Sequence, residues 1–212
     1  MKCLTFACLL IAVQAYADDN PLIINGCTIA ESSQCPGADL RGARLANQDL
    51  RKMNLSGADL RDADLRHARL DLANLERARL QGANLTRASL QQSNLRLADF
   101  TGATLKAIQG WGLFAQGAQL QRADLSAAYL QFARLSGARL HDANLQAADL
   151  EMAWLSKADL KGADLRDANL QEAKLGESNL EQADLSGSRQ HYGNFQDANM
   201  QGCKGCPQSW DR

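Results

Sequence analysis

The sequence predicts an all-β solenoid, a tube built from four-sided coils, and three observations lead to this prediction. Apolar residues recur every five positions: of the 33 positions from 40 to 200 in steps of five, 30 hold Leu, Phe or Met. A small residue, usually Ala, stands two places before most of them, and most other positions are polar. The phase of this repeat never shifts between Ala38 and Met200. A repeat of this kind decides the fold before any other pattern does.

A period of five fits neither a helix nor a flat strand. In a helix, five residues rotate by about 500°, so successive leucines would spread around the whole cylinder. In a strand, side chains alternate every two residues, so successive leucines would face opposite sides. A chain that turns a corner in every pentad brings all leucines inward, and four pentads then complete one coil. Gly is frequent at the corner position, where it tolerates unusual backbone angles.

Several segments resemble the repeating unit A(D/N)LXX of the pentapeptide-repeat family. Examples are Ala58–Asp62, Ala143–Leu145 and Ala163–Leu165, and the resemblance covers about 160 of the 212 residues. It implies a right-handed quadrilateral β-helix of about eight coils with capped ends, in which each coil bonds only to its neighbours. Residues twenty apart are then expected to stack on one face, about 4.8 Å apart.

The N-terminus has the features of a secretory signal in residues 1–17. Lys2 supplies the positive start, Leu4–Val13 the apolar core and Ala15–Ala17 the small-residue cleavage site. The alternative, a short buried strand, has no partner in a closed coil. We therefore expect cleavage after Ala17 and a periplasmic or secreted protein, with no later apolar run long enough to cross a membrane.

Both ends of the repeat region are predicted to be capped. Residues 18–37 form the N-terminal cap, in which the β-prone segment Pro21–Ile24 is expected to pair with the first coil. Residues 38–200 form the β-helix. Residues 201–212 form the C-terminal cap, with Trp210 expected over the open last coil.

Four cysteines remain once the signal is removed, and an even number in an exported chain favours disulfides. A β-helix of this length holds the two pairs tens of ångströms apart, whereas a disulfide needs Cα atoms within about 7 Å. The fold therefore predicts the disulfides Cys27–Cys35 and Cys203–Cys206, and it excludes a zinc site built from all four. The CXXC spacing of the second pair leaves thiol exchange open as an alternative, although the strand–helix context that activates such cysteines is missing.

The repeat is interrupted at residues 106–117. Ile108 and Leu113 stand where Ala is usual, while Gly110 and Ala115 stand where Leu is usual. The phase of five is the same on both sides, so the segment is either a run of distorted pentads or an extruded loop of about ten residues. Loops on rigid scaffolds often carry function, which makes this segment a candidate site.

A second candidate site is a cluster of outward apolar side chains. A spacing of twenty places Phe132, Met152 and Tyr192 in one column, with Trp154 in the column beside it. Phe114 and Leu72 join these two columns only if residues 106–117 remain in the coil. Such a cluster indicates a protein-interaction surface, although scattered surface hydrophobics are the alternative. The candidate interaction residues are Trp111, Phe114, Phe132, Met152, Trp154 and Tyr192, with Arg134, Lys174 and Glu172 expected at the rim.

The charges are distributed unevenly along the tube. Residues 38–107 carry 12 basic and 8 acidic side chains and residues 118–212 carry 10 and 13, within a net charge of −1. Most of these charges are expected to form surface ladders at intervals of twenty, for example Asp59, Arg79 and Asp99, or Arg139 and Asp159. Exposed pairs of this kind contribute little stability. An oligomer could form through end-to-end contact or through the apolar face.

The sequence contains no catalytic constellation. His67, His141 and His191 fall in different columns, the carboxylates belong to surface ladders, and a tube filled with Leu has no substrate cavity. We expect no cofactor and no metal. The prediction is a non-enzymatic exported scaffold or interaction module whose protein partner is unidentified.

The family resemblance also implies a rival function, the protection of topoisomerase (gyrase) by DNA mimicry, as in the quinolone-resistance members. A DNA mimic is expected to be strongly acidic, whereas this chain is nearly neutral and basic in its first half. Export would also separate the protein from the chromosome, so no nucleic-acid-related role is expected. An uncleaved cytoplasmic product would restore this alternative.

Overall fold

The computed structural model of the protein describes residues 21–208, and its main element is one continuous coil. From Gln34 to Lys204, the outward residue of every pentad forms a parallel bridge with the residue twenty positions later. Four pentads therefore complete each turn, and the predicted four-sided β-helix with columns at intervals of twenty is confirmed. The signal segment 1–17 and Trp210 lie outside the described residues.

Backbone hydrogen bonds join each coil to the coils on both sides. Leu40 donates its N–H to the carbonyl oxygen of Asp59 at 2.8 Å, and Asp59 donates its own N–H to Ala38 at 2.9 Å. The same pair of bonds recurs along the tube. Inside it, the Leu and Ala positions are buried, with Leu45 and Leu50 fully inaccessible. Neighbouring coils thus share both a hydrogen-bond ladder and a stacked apolar core.

Each pentad turns its corner through a β-turn. In the first complete example, Ala43 donates its N–H to the carbonyl oxygen of Leu40 at 3.1 Å, and Gly42 has a φ of 61°. This left-handed conformation favours Gly, yet the same position is also occupied by Leu72 and Phe132, with φ of 60° and 58°. The repeated ladder therefore holds bulky side chains in a conformation that they seldom adopt alone.

The polar Asp or Asn of the unit stabilises the corner that follows it. The Oδ1 atom of Asp39 accepts a hydrogen bond from the backbone N–H of Arg41, and that of Asn54 accepts one from Ser56. Where the residue two positions after an Asp is Arg, its side chain also forms a two-pronged contact with that Asp. Such pairs are Asp39–Arg41, Asp49–Arg51, Asp59–Arg61, Asp64–Arg66 and Asp164–Arg166.

These contacts within a pentad are shorter than the predicted contacts at intervals of twenty. The Asp59 carboxylate lies 2.6 Å from Arg61 but 3.4 Å from Arg79, which is its neighbour in the predicted ladder. The stacking itself is as predicted, since the backbone of Arg79 forms β-bridges with both Asp59 and Asp99. The surface charges are thus paired both within a pentad, where the distances are shortest, and across neighbouring coils, as in Lys161–Glu181 at 2.9 Å.

Residues 106–117 remain in the coil, so the repeat is interrupted in its side chains and not in its backbone. Phe114 bridges Asn94 and Arg134 in the ordinary register, which rules out the extruded loop. The reason is that large and small side chains have exchanged positions inside the tube. A Cβ atom on Gly110 would lie only 2.6 Å from Leu113 Cδ2, because Leu113 fills the space that a leucine at position 110 would occupy.

The N-terminal cap is an antiparallel hairpin of β1 (Leu22–Ile24) and β2 (Cys27–Ile29). The expected pairing of Pro21–Ile24 with the first coil is wrong. Asn25 and Gly26 both have positive φ, 48° and 80°, which is the geometry of a tight two-residue hairpin turn. This turn folds β1 back onto β2, while Cys27 and Ile29 cover the end of the core.

Both predicted disulfides are present and lie at opposite ends of the repeat region. The Cα atoms are 5.5 Å apart in Cys27–Cys35 and 5.9 Å apart in Cys203–Cys206. Gln190, which replaces an inward Leu near the C-terminal end, donates a hydrogen bond to the carbonyl oxygen of Gly205 at 2.8 Å. The polar exception to the repeat thus anchors the C-terminal cap.

Candidate functional site

The predicted interaction residues come together mainly on one side of the tube, which we call the aromatic face. It comprises two adjacent columns, and both continue through residues 106–117 because the coil does. Phe114 therefore joins the column of Trp154, and Leu72 joins the column of Phe132. The outward column is Asn94, Phe114, Arg134, Trp154, Lys174 and Asn194; the turn column is Leu72, Gln92, Gly112, Phe132, Met152, Glu172 and Tyr192.

Aromatic rings and cations alternate along the outward column. The guanidinium carbon of Arg134 lies 4.9 Å from the centre of the Phe114 ring and 5.6 Å from that of Trp154. Lys174 continues the series, with its Nζ atom 4.3 Å from the centre of the Trp154 ring. Arg134 and Lys174 were expected at the rim, but the coil spacing places them directly between or against the rings. We call this series the cation–aromatic ladder.

Arg96 adds a further cation from the corner next to this column. Its guanidinium carbon lies 5.2 Å from the centre of the Phe114 ring. Phe114 therefore contacts cations from two coils, Arg96 and Arg134. Contacts of this kind contribute about 0.5–1 kcal/mol each at exposed sites, so the ladder holds its rings in fixed positions.

Trp111 joins the aromatic face from the same turn as Gly112. Its ring centre lies 5.9 Å from that of Phe132, with the two planes inclined by 60°, which is a favourable tilted arrangement for aromatic pairs. Gly112 has no side chain to separate the two rings. The sequence identified both aromatic residues, but their contact depends on the coil that the segment was found to keep.

Most ring residues of this face are exposed, whereas Phe114 is partly buried. Phe132 and Trp154 each keep 45% of their surface accessible, and Leu72 keeps 51%. Met152 is partly buried. Tyr192, at 74%, is the most exposed, but it lies apart: Glu172 separates it from Met152, and its ring stacks against His191 with centres 3.8 Å apart. The compact part of the site therefore extends from Leu72 to Lys174.

Two exposed apolar residues beside the face were missed by the sequence analysis. Tyr129 and Leu97 have 51% and 48% of their surfaces accessible. Leu97 lies over Gly117, since its Cδ2 atom is 2.9 Å from where a Cβ of Gly117 would stand. Counting in steps of twenty would have found both residues if every outward column had been inspected.

Within residues 21–208, no group of three or more His, Cys, Asp and Glu side chains is arranged to hold a metal ion. The same part of the chain contains no helix long and apolar enough to cross a membrane. The four cysteines are paired at the two ends.

The model of the family described as pentapeptide repeats matches residues 38–77, 78–107, 123–162 and 163–204, which together exceed half of the chain. The unmatched gap at 108–122 contains all four exchanged core residues, Ile108, Gly110, Leu113 and Ala115. No curated protein sequence matches the chain.

Three solved structures illustrate the similarity. HetL, a pentapeptide repeat protein involved in heterocyst differentiation regulation in the cyanobacterium Nostoc sp. strain PCC 7120, is 28% identical; the alignment covers 80% of this chain and 89% of HetL, with a TM-score of 0.40. Trypsin-treated QnrB1, a plasmid-mediated fluoroquinolone resistance protein, is 19% identical over 81% and 87%, with a TM-score of 0.48. A pentapeptide repeat protein from the Arabidopsis thaliana thylakoid lumen is 24% identical over 64% and 67%, with a TM-score of 0.15.

Proposed function

We propose that this chain, which belongs to the pentapeptide-repeat family, is an exported, non-enzymatic scaffold that binds a protein partner through its aromatic face. Members of the family form right-handed β-helices and are generally structural or interaction modules. The observation that carries the proposal is the cation–aromatic ladder of Phe114, Arg134, Trp154 and Lys174.

The composition of the ladder is that of a binding surface. Aromatic residues and Arg are enriched in protein interfaces and supply most of the residues whose loss weakens binding. The outward column on the opposite side of the tube instead holds polar residues such as Thr104, Asp124 and Asn144. Exposed apolar surface gathered on one side of an otherwise polar solenoid is typical of an interaction site.

Export is supported by the N-terminal sequence and by the cysteines. Residues 1–17 have the charged start, apolar core and cleavage site of a secretory signal. Disulfides form and persist in oxidising compartments, and the four remaining cysteines are within bonding geometry in two pairs. Intact mass by cell fraction tests this part: a periplasmic or secreted product beginning at Asp18 supports export, and a full-length cytoplasmic product overturns it.

The interaction itself can be tested with matched surface variants. A tagged protein is purified from its native host, and co-purified proteins are quantified by mass spectrometry. A face variant carries Trp111→Gln, Phe132→Gln and Trp154→Gln, whereas a control variant carries Arg122→Gln and Asp124→Asn on the opposite side. The proposal predicts that a defined set of proteins co-purifies with the unmodified protein and with the control variant. Recovery of this set should fall at least about tenfold with the face variant. Equal recovery with both variants contradicts it.

The two alternative functions make different predictions. Topoisomerase protection by DNA mimicry requires a cytoplasmic product and an acidic surface, whereas the net charge is −1 and the aromatic face carries cations. Thiol–disulfide exchange requires a reactive thiol at Cys203 or Cys206. An insulin-reduction assay tests this second alternative. The alternative predicts that the protein catalyses the reduction and that Cys203→Ser abolishes this activity.

A further inference from the structure

Gly112 leaves a notch in the aromatic face. The turn column has side chains at Leu72, Gln92, Phe132 and Met152, but position 112 has none. Coils are separated by about 4.8 Å, so the absence of one side chain opens a gap of about 9–10 Å between the coils on either side. Gln92 only borders this gap, because its Cγ atom lies 3.7 Å from where a Cβ of Gly112 would stand. We call this gap the Gly112 notch.

The notch opens into a depression of about 410 Å³ with apolar walls and one charged side. Its apolar lining consists of Leu72, Trp111, Phe114 and Phe132. Gln92 and Arg134 supply the polar groups. A volume of this size accommodates one large apolar side chain together with the adjacent backbone, and it is too open to enclose a small molecule.

The cations of the aromatic face, of which Arg134 lines the notch, have no acidic partner. Within residues 21–208, the side chains of Arg96, Arg134 and Lys174 form neither ion pairs nor hydrogen bonds with other residues. By contrast, Arg41 and Arg66 are each held by the Asp two residues before them. A cation–π contact uses none of the five N–H donors of a guanidinium. Arg134 therefore retains its full capacity to bind a carboxylate.

We propose that the Gly112 notch binds a large apolar side chain of an acidic protein segment, with a neighbouring carboxylate of that segment on Arg134. The inference rests on the proposed function and specifies the chemistry of the partner at the same face. Complementary charge supports it, since Arg134 lines the depression and two further unpaired cations on the same face, Arg96 and Lys174, also favour an anionic partner. A carboxylate can meet the Arg134 guanidinium in the two-pronged geometry that Arg favours.

A filling substitution tests the notch without removing any contact. In Gly112→Leu, the new side chain occupies the notch. Gly112 has a φ of 61°, and Leu72 occupies the same turn column with a φ of 60°, so the fold accommodates a leucine there. The matched control is Gly102→Leu, because Gly102 has a φ of 66° and open space around it on the opposite side. A third variant, Arg134→Gln, removes the cation and leaves the notch open.

Three capped synthetic peptides serve as probes for the purified, disulfide-intact protein. The acidic probe is Gly-Glu-Phe-Glu-Gly, the basic probe is Gly-Lys-Phe-Lys-Gly, and Gly-Glu-Gly-Glu-Gly lacks the apolar anchor. Binding is followed by two-dimensional NMR through the amide of Gly112 and the indole N–H of Trp111. We expect these signals to shift with the acidic probe alone. Its affinity should fall at least about tenfold in Gly112→Leu, fall severalfold in Arg134→Gln and remain unchanged in Gly102→Leu.

Four results would overturn the inference. Equal binding of the acidic and basic probes removes the charge argument, and undiminished binding by Gly112→Leu removes the notch. Signal shifts that depend on protein concentration, without any peptide, assign the notch to a second copy of the chain. The absence of all peptide binding also rejects the inference. The proposed function is judged separately by co-purification, and it survives any of these results if the face variant still loses its partners.

Discussion

The guanidinium carbon of Arg134 lies 4.9 Å from the centre of the Phe114 ring, one coil away along the same column of the tube. On its other side, Arg134 lies 5.6 Å from the Trp154 ring centre. A single cation thus contacts two rings at once, because the solenoid fixes the spacing between neighbouring coils. The same contacts that stabilise the aromatic face therefore also hold the rings that we propose bind the partner.

We predict that Arg134→Gln lowers the free energy of unfolding by about 1–2 kcal/mol, since each exposed cation–π contact contributes about 0.5–1 kcal/mol. Urea unfolding followed by circular dichroism measures the change. The control is Arg139→Gln, which alters an outward Arg in the adjacent column; within the described residues, no aromatic ring lies against Arg139. An equal loss in both variants would show that the rings do not distinguish Arg134 from other outward arginines.

The exchange of sizes inside the tube predicts a strong coupling between Gly110 and Leu113. Leu113→Ala alone should cost about 2–5 kcal/mol through the cavity that it leaves. Gly110→Leu alone should cost about 1–3 kcal/mol through overpacking, because its Cβ would lie 2.6 Å from Leu113 Cδ2. The double variant restores the repeat and should recover most of the stability. A double-mutant cycle measures this coupling, and additive losses would contradict the account of the distorted segment.

The Asp–Arg contacts predict how the protein responds to acid. Two hydrogen bonds from Arg66 lower the pKa of Asp64 to about 2, from its ordinary value of 3.8. Because the folded-state pKa is below the unfolded-state value, this pair stabilises the fold above about pH 3.8. That contribution is lost as the pH falls through about 2.

Arg66→Gln should therefore raise the pKa of Asp64 towards its ordinary value, as measured by carbon NMR of the carboxyl group. The pKa of Asp184 serves as the reference, since it is lowered mainly by hydrogen bonds from Ser186. A pKa of Asp64 that stays near 2 in the variant would exclude Arg66 as the cause.

The two disulfides should stabilise the ends of the fold and have no part in binding. Replacing Cys27 and Cys35 by Ser should lower the free energy of unfolding by roughly 2–3 kcal/mol, and replacing Cys203 and Cys206 should cost about 2 kcal/mol because the loop is shorter. Neither double variant should change partner recovery from the host under conditions where it is folded. Loss of recovery in a folded Cys203→Ser, Cys206→Ser variant would assign the second pair a role beyond stability.

The fold could be predicted almost completely because one physical requirement repeats along the chain. An inward Leu every five residues forces a corner in every pentad, and the Asp or Asn beside it closes that corner, as Asp39 does with the N–H of Arg41. The disulfide pairing followed from the distance between the ends. The N-terminal hairpin differs from the prediction because Asn25 and Gly26 adopt the positive φ of a tight two-residue turn, which pairs β1 with β2 and not with the coil.

The candidate site could be predicted only in part. Whether residues 106–117 stay in the coil depends on volume, and the larger Ile108 and Leu113 compensate for the smaller Gly110 and Ala115. Counting residues alone does not show such compensation. The positions of Arg134 and Lys174 against the rings also depend on side-chain geometry, which the spacing of twenty leaves open.

Site-specific photo-crosslinking in the native host tests the central claim most directly. A photoreactive phenylalanine derivative is placed at position 132 or, as the control, at position 122. Both positions are exposed turn residues with nearly the same φ, 58° and 57°, on opposite sides of the tube. The account predicts a discrete adduct from position 132 that is absent from position 122 and lost when Trp111 and Trp154 are changed to Gln. Equal adducts from both positions, or none from position 132, would contradict the assignment of the aromatic face as the binding surface.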